Sequence, residues 1–223
     1  MMTNLFSIFD PSTPAFMSSN WNSVLIFMAL SPVVLWMSPH PLKHIFYLTT
    51  KYIFTEFKPL IKKSAFVLIM PVSLFVFIAC NNIMGLAPYV FTGSSQLVFT
   101  LAMALPIWLG LMLYGWMNNT SNLLVHLIPQ STPVVLMPFM VLIETVSNLI
   151  RPITLAIRLT ANMVAGHLLI VLLNSADPFT TLTLTPLLFL AKQALLILEM
   201  AVAFIQAYVF SVLVTLYAAE FTS

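Results

Sequence analysis

Apolar residues recur along the chain in runs too long for the core of a water-soluble domain. The first covers about residues 21–37 and is closed by Pro39 and Pro41. With about 17 residues it just reaches across a hydrocarbon layer roughly 30 Å thick. The second run, 64–85, and the third, 96–116, are each long enough to cross. Trp21 and Trp36 bracket the first run, and Tyr89, Trp108 and Trp116 lie near the ends of others. Rings with one apolar and one polar side favour the membrane–water interface.

Between the first two runs, residues 41–63 carry Lys43, Lys51, Lys58, Lys62 and Lys63, five of the eight basic residues. Ile45, Phe46, Leu48, Ile53, Phe54 and Phe57 are interleaved with them. This pattern predicts an amphipathic segment lying on the membrane surface; a plain basic loop is the simpler alternative. The positive-inside rule places it on the side of synthesis and the amino terminus on the opposite side.

The last ninety residues have a longer period. Thr132 followed by Pro133 is a helix start, a capping hydroxyl and then a proline whose missing N–H is harmless in the first turn. The helical pattern continues over 133–173, with kinks expected at Pro138 and Pro152. Thr185-Pro186 opens a second stretch, 185–221, in the same way. Forty helical residues measure roughly 60 Å, twice the hydrocarbon thickness. Neither stretch fits upright, which predicts a long, strongly tilted helical hairpin within the membrane. Four ordinary spans broken at the prolines are the alternative. The fold class is therefore an all-α membrane protein, one membrane domain over 1–223, with transmembrane helices, a surface amphipathic helix and the tilted hairpin.

Composition supports this. Of 223 residues 61% are hydrophobic and only 6% charged, against about 25% charged in a soluble domain. A net charge of +2 is too small to suggest nucleic acid. A single cysteine, Cys80, excludes an internal disulfide and a cysteine metal cluster. The opening MMTNLFSIFDPSTPAF has neither a basic n-region nor a small-residue cleavage site, so no signal peptide is expected. Its lack of Arg-rich import character fits synthesis inside an organelle. Five glycines and no G-x-x-x-x-G-K-[ST] loop leave no nucleotide chemistry to this chain. The NNTS at 118–121 reads as a polar turn.

Against this background the polar residues of the hairpin stand out. Glu144, Asn148, Arg151, Leu155, Arg158 and Asn162 step by four and three and share one helix face. Lys192, Glu199 and Gln206, seven apart, share a face of the second helix. A charge near the middle of a membrane helix costs at least about 2.5–3.5 kcal/mol. Two such stripes point to an ion or substrate pathway; structural pairing between helices is the alternative. His167 follows in AGH, and imidazole, with a pKa near neutrality, is suited to relaying protons. Arg158 cannot carry protons, because guanidinium stays charged. A buried, permanent cation there would favour the ionised form of a nearby carboxylate and repel a mobile cation.

The segments IETVSNLIRPITLAIRLTANMVAGHLL and LEMAVAFIQAYVFSVLVTLY closely resemble the subunit a family of mitochondrial F-type ATP synthases. The resemblance extends over essentially the whole chain, including FDPST and NNIMGLAPYVFT. It implies a stationary proton-channel subunit of the membrane sector, with two offset half-channels beside a rotating ring of c subunits. Each ring hairpin carries one essential carboxylate. The family's arginine of RLTAN matches Arg158 and the glutamine of IQAY matches Gln206. The histidine and glutamate of the intermembrane-side half-channel match His167 and Glu199. The glutamate of IET matches Glu144, on the matrix-side path, and Asn162 matches a polar residue beside the arginine. Asn148, Arg151 and Lys192 complete the stripes without an assigned role.

The implied partners are the c-ring, peripheral-stalk subunit b, small accessory membrane subunits, the ATP synthase complex with its dimers, and membrane lipid, with no nucleic acid and no cofactor. The implied location is the mitochondrial inner membrane, amino terminus toward the intermembrane space and 41–63 toward the matrix.

Facing residues of an antiparallel pair have a constant sum of positions. Arg158 with Gln206 and His167 with Glu199 agree to within two residues, so both pairs fit one hairpin turning near 182–183. Three other readings stay open on the residues alone. A secondary transporter would add broken helices and an inverted repeat. An electron carrier would need ligand sets that His40, His44, His126 and His167 do not form in spaced pairs. A purely structural membrane subunit would leave a buried Arg158 unexplained.

Overall fold

The computed structural model describes residues 5–13, 20–25, 41–61, 65–87, 90–118, 120, 136–176 and 185–222. All regular structure among them is helical. Five α-helices follow in chain order: α1, Pro41–Phe57; α2, Ile69–Gly85; α3, Leu97–Asn118; α4, Met137–Ala176; and α5, Thr185–Thr222. Short 3-10 turns lie at Leu5–Phe9, Asn20–Asn22, Ala65–Leu68 and Gly93–Ser95. Helices α3, α4 and α5 are long and apolar enough to cross a membrane; α2 is apolar but shorter. Most of the first apolar run, 21–37, and the Thr132-Pro133 helix start lie outside the described residues.

The proline arguments divide. Pro138 stands in the first turn of the described α4, where a missing N–H breaks no bond. Pro152 stands in its interior, and the helix continues across it for 40 residues. Pro152 is fully buried, so packing holds the ring where a free helix would lose a hydrogen bond. Four spans broken at the prolines are therefore not what forms. Helix α5 likewise runs 38 residues without a break from Thr185-Pro186.

The core joins four helices. Leu74, Ile78 and Ala79 of α2, Ala104 of α3, Leu155, Ala156 and Leu159 of α4, and Ala207, Phe210 and Val214 of α5 form one buried cluster. Small residues carry the closest approach: Ala203, Ala207, Ser211, Thr215 and Ala218 are all almost completely buried on α5. In lipid, where apolar burial adds little between helices, such residues let backbones close up and gain van der Waals contact. Asn82 of α2, with no exposed surface, donates from Nδ2 to the Ala203 carbonyl at 3.3 Å, tying α2 to α5 by a polar contact.

A second cluster seats α1. Ile53, Phe57 and Ile61 are buried with Leu68 and with Ala218 near the end of α5. Lys51 and Lys58 are exposed, as are Ile45, Tyr47, Leu48 and Tyr52. One face of the basic segment thus packs on the bundle while its other side mixes cations with large apolar groups.

Candidate functional site

The polar residues of α4 and α5 separate into three groups. The first joins the helices. His167 Nε2 of α4 and Glu199 Oε1 of α5 are 3.9 Å apart, with side chains 17% and 5% exposed. Gly166 makes room for this: a Cβ there would lie 2.5 Å from Glu199 Oε1 and 2.8 Å from its Cδ. Among the described residues neither Glu199 oxygen nor His167 Nε2 has a hydrogen-bond partner. Buried polar groups with a structural task are normally satisfied. A carboxylate and an imidazole left with only each other are free to exchange a proton after a shift of about 1 Å to hydrogen-bond distance.

The amino-terminal turn roofs this pair. Phe9 meets the His167 ring edge to face, with centroids 6.3 Å apart. The Phe9 carbonyl accepts a hydrogen bond from Gln96 Nε2, just before α3. Beyond it, the Ser12 N–H donates to Asp10 Oδ1 at 3.0 Å and holds this exposed carboxyl below its ordinary range. Phe9, Gln96 and Gly166 carry no sequence pattern that marks them as part of this site. The AGH context contained the glycine, but nothing in the pattern shows that a carboxylate sits over it.

The second group lies sixteen residues or more before His167, toward the start of α4. Arg151 Nη2 donates to Glu144 Oε1 at 3.4 Å, and its guanidinium lies 5.3 Å from the ring centre of Tyr217 on α5. Both charged side chains are partly exposed. Here Arg151, which has no assigned role in the family pattern, acquires a place: it links Glu144 to the far end of α5.

The third group is Arg158 and Gln206, and here one expectation needs correction. Arg158 is not buried in this chain; it is exposed, on the outer side of α4, while Leu155, Ala156 and Leu159 around it are buried. Gln206 is half-buried. No hydrogen bond or ion pair of Arg158 occurs among the described residues, so the expected pairing with Gln206 is not a direct bond. The reason is rotational. At roughly 100° per residue the buried face of α4 runs through Pro152, Ala156, Leu159 and Met163, and the polar stripe borders that face with Arg158 at its outer edge. His167, nine residues on, comes out roughly half a turn away, toward α5. Asn148 and Asn162 of α4 and Lys192 of α5 are half-buried.

A guanidinium facing outward from a membrane helix carries its full desolvation cost unless something anionic meets it. The arrangement is therefore an outward-facing cation with a carboxylate–imidazole pair on one side and a second carboxylate on the other.

The family model described as ATP synthase A chain matches residues 4–219. ATP synthase subunit a of Locusta migratoria is 50% identical over 99% of both chains. The subunits of the same name from Drosophila melanogaster and Anopheles gambiae are 50% and 52% identical, again over 99% of each chain. With nearly its whole length matched, the chain belongs to the ATP synthase A chain family.

Proposed function

We propose that this chain is the stationary proton-translocating subunit of a rotary ATP synthase, placed in the mitochondrial inner membrane beside a ring of c subunits. The observation that carries the reading is the outward-facing Arg158, flanked along the hairpin by the His167–Glu199 pair and by Glu144. An anionic partner is needed outside the chain, and ring carboxylates supply it.

Protons enter from the intermembrane side past His167 and Glu199 and neutralise a ring carboxylate that had faced Arg158. A neutral carboxyl turns into lipid far more cheaply than a carboxylate. After nearly a full rotation it reaches the matrix path at Glu144, where the Arg158 charge favours release. Gln206 and Asn162 line the passage around Arg158, and Asn148, Arg151 and Lys192 keep the flanking stripes polar. Because Arg158 holds its own proton, it separates the two paths and couples flow to rotation. Each proton supplies about 2.3 kcal/mol per 100 mV. Nucleotide chemistry belongs to other subunits of the complex, and subunit b and small accessory subunits cover the remaining faces.

The contact of Phe9 with His167 supports the orientation, because it puts the amino-terminal turn on the side assigned to the intermembrane path. Membrane sectors assembled with and without this chain, sealed in vesicles under an imposed potential, test the function. Passive proton conduction is expected only with the chain present; equal conduction without it would contradict the proposal.

A further inference from the structure

An imidazole hands on a proton usefully only if the correct nitrogen faces the acceptor. His167 presents Nε2 to Glu199, yet no hydrogen bond to that nitrogen holds it there among the described residues. A half-turn about its outer torsion puts the Cε1–H where Nε2 stood, and a C–H cannot pass a proton to the carboxylate. Its orientation must therefore come from packing.

One wall of that packing comes from a segment remote in sequence. The Phe9 ring stands at 76° to the imidazole, an edge-to-face arrangement that favours one ring orientation over others. Phe9 is itself fixed from three sides. It ends the 3-10 turn Leu5–Phe9. Its carbonyl is bound by Gln96, and the next carbonyl, of Asp10, accepts from Asn20 Nδ2 at 3.3 Å. The anchor residue Gln96 is half-buried where α3 begins, so the wall is tied to α3 while the imidazole it faces belongs to α4.

We propose that Phe9, anchored through its carbonyl by Gln96, is a positioning residue that keeps His167 Nε2 turned toward Glu199. The proposal rests on the reading of His167 as a proton carrier. Phe9 itself exchanges no proton; it restricts the imidazole to the productive orientation and closes the outer side of the pair.

The test uses the complete complex in vesicles, with assembly checked on native gels and passive proton conductance and ATP synthesis measured. Phe9→Leu keeps bulk but removes the aromatic edge, and it is expected to lower both rates about twofold to tenfold. Phe9→Tyr retains the edge and is expected to restore them. Gln96→Leu frees the anchor and is expected to reproduce part of the loss. In a His167→Gln background, Phe9→Leu is expected to add nothing further.

Parent rates in Phe9→Leu, or the same loss in both backgrounds, would overturn the proposal. If Phe9→Leu fails to assemble, Gln96→Leu in the two backgrounds decides by the same criterion. His167→Gln alone leaving conductance unchanged would overturn the carrier reading as well, and that outcome is seen without any change at Phe9.

Discussion

Glu199 of α5 sits directly over Gly166 of α4, close enough that its carboxylate occupies the space a Cβ would take. The glycine is thus a property of the site, not of the helix: inside α4 it costs about 1 kcal/mol of helix propensity relative to alanine. In return it lets His167 and Glu199 come within 3.9 Å of each other across the two helices.

Gly166→Ala follows from this. The atoms in the way are the end of a flexible side chain, so the carboxylate moves and the helices stay. Assembly of the complex is expected to be near normal while proton conductance falls about tenfold or more, since a misplaced proton-transfer group loses much of its effect. Conductance at the parent level would show that the carboxylate has other productive positions.

Glu199 itself offers a sharper chemical contrast. Glu199→Gln keeps shape but removes the titratable group, and coupled ATP synthesis is expected to fall about a hundredfold. Glu199→Asp keeps the group one methylene further from His167 and is expected to retain an intermediate rate. Rates of synthesis in energised vesicles distinguish the two; equal losses would mean that shape, not proton exchange, matters.

Arg151 links Glu144 to Tyr217, but both charged side chains are partly exposed, so the pair contributes little on its own. Arg151→Met is expected to destabilise the solubilised complex by about 1 kcal/mol, from a screened ion pair and a guanidinium–aromatic contact together. Tyr217→Leu, which removes the ring face, is expected to lower the midpoint of the same thermal melt.

Packing between α2 and α5 depends on small residues. Ala207 has no exposed surface and lies in the cluster with Ile78 and Phe210. Ala207→Leu is expected to cost about 1–3 kcal/mol through overpacking. The readout is a reduced yield of assembled complex, with no selective effect on proton conductance per assembled complex.

Much of this was legible in the sequence, for identifiable reasons. Long apolar runs marked α3, α4 and α5, because only helices satisfy the backbone across so many apolar residues, and Thr185-Pro186 marked where α5 begins. The constant-sum rule anticipated that His167 would face Glu199, since a regular antiparallel pair keeps its register. The exposure of Arg158 was not legible, because a stripe spaced by four and three shows only that its members share a face. It does not show which edge of that face borders the core. That depends on which helices pack on α4, and α2 and α3 are far away in sequence. The same distance hid Phe9, Gln96 and Asn82, whose partners His167, Phe9 and Ala203 have no local signature.

The central claim is that Arg158 couples proton flow to a ring outside the chain. The most direct measurement compares Arg158→Ala with Arg158→Lys in the assembled complex, recording ATP-driven pumping, ATP synthesis and passive leak. The account predicts that Arg158→Ala assembles, loses pumping and synthesis, and leaks protons faster. Arg158→Lys keeps a charge but lacks the planar fork, so it blocks the leak better than it restores synthesis. Near-normal synthesis in Arg158→Ala would contradict the account and leave Arg158 as a structural cation.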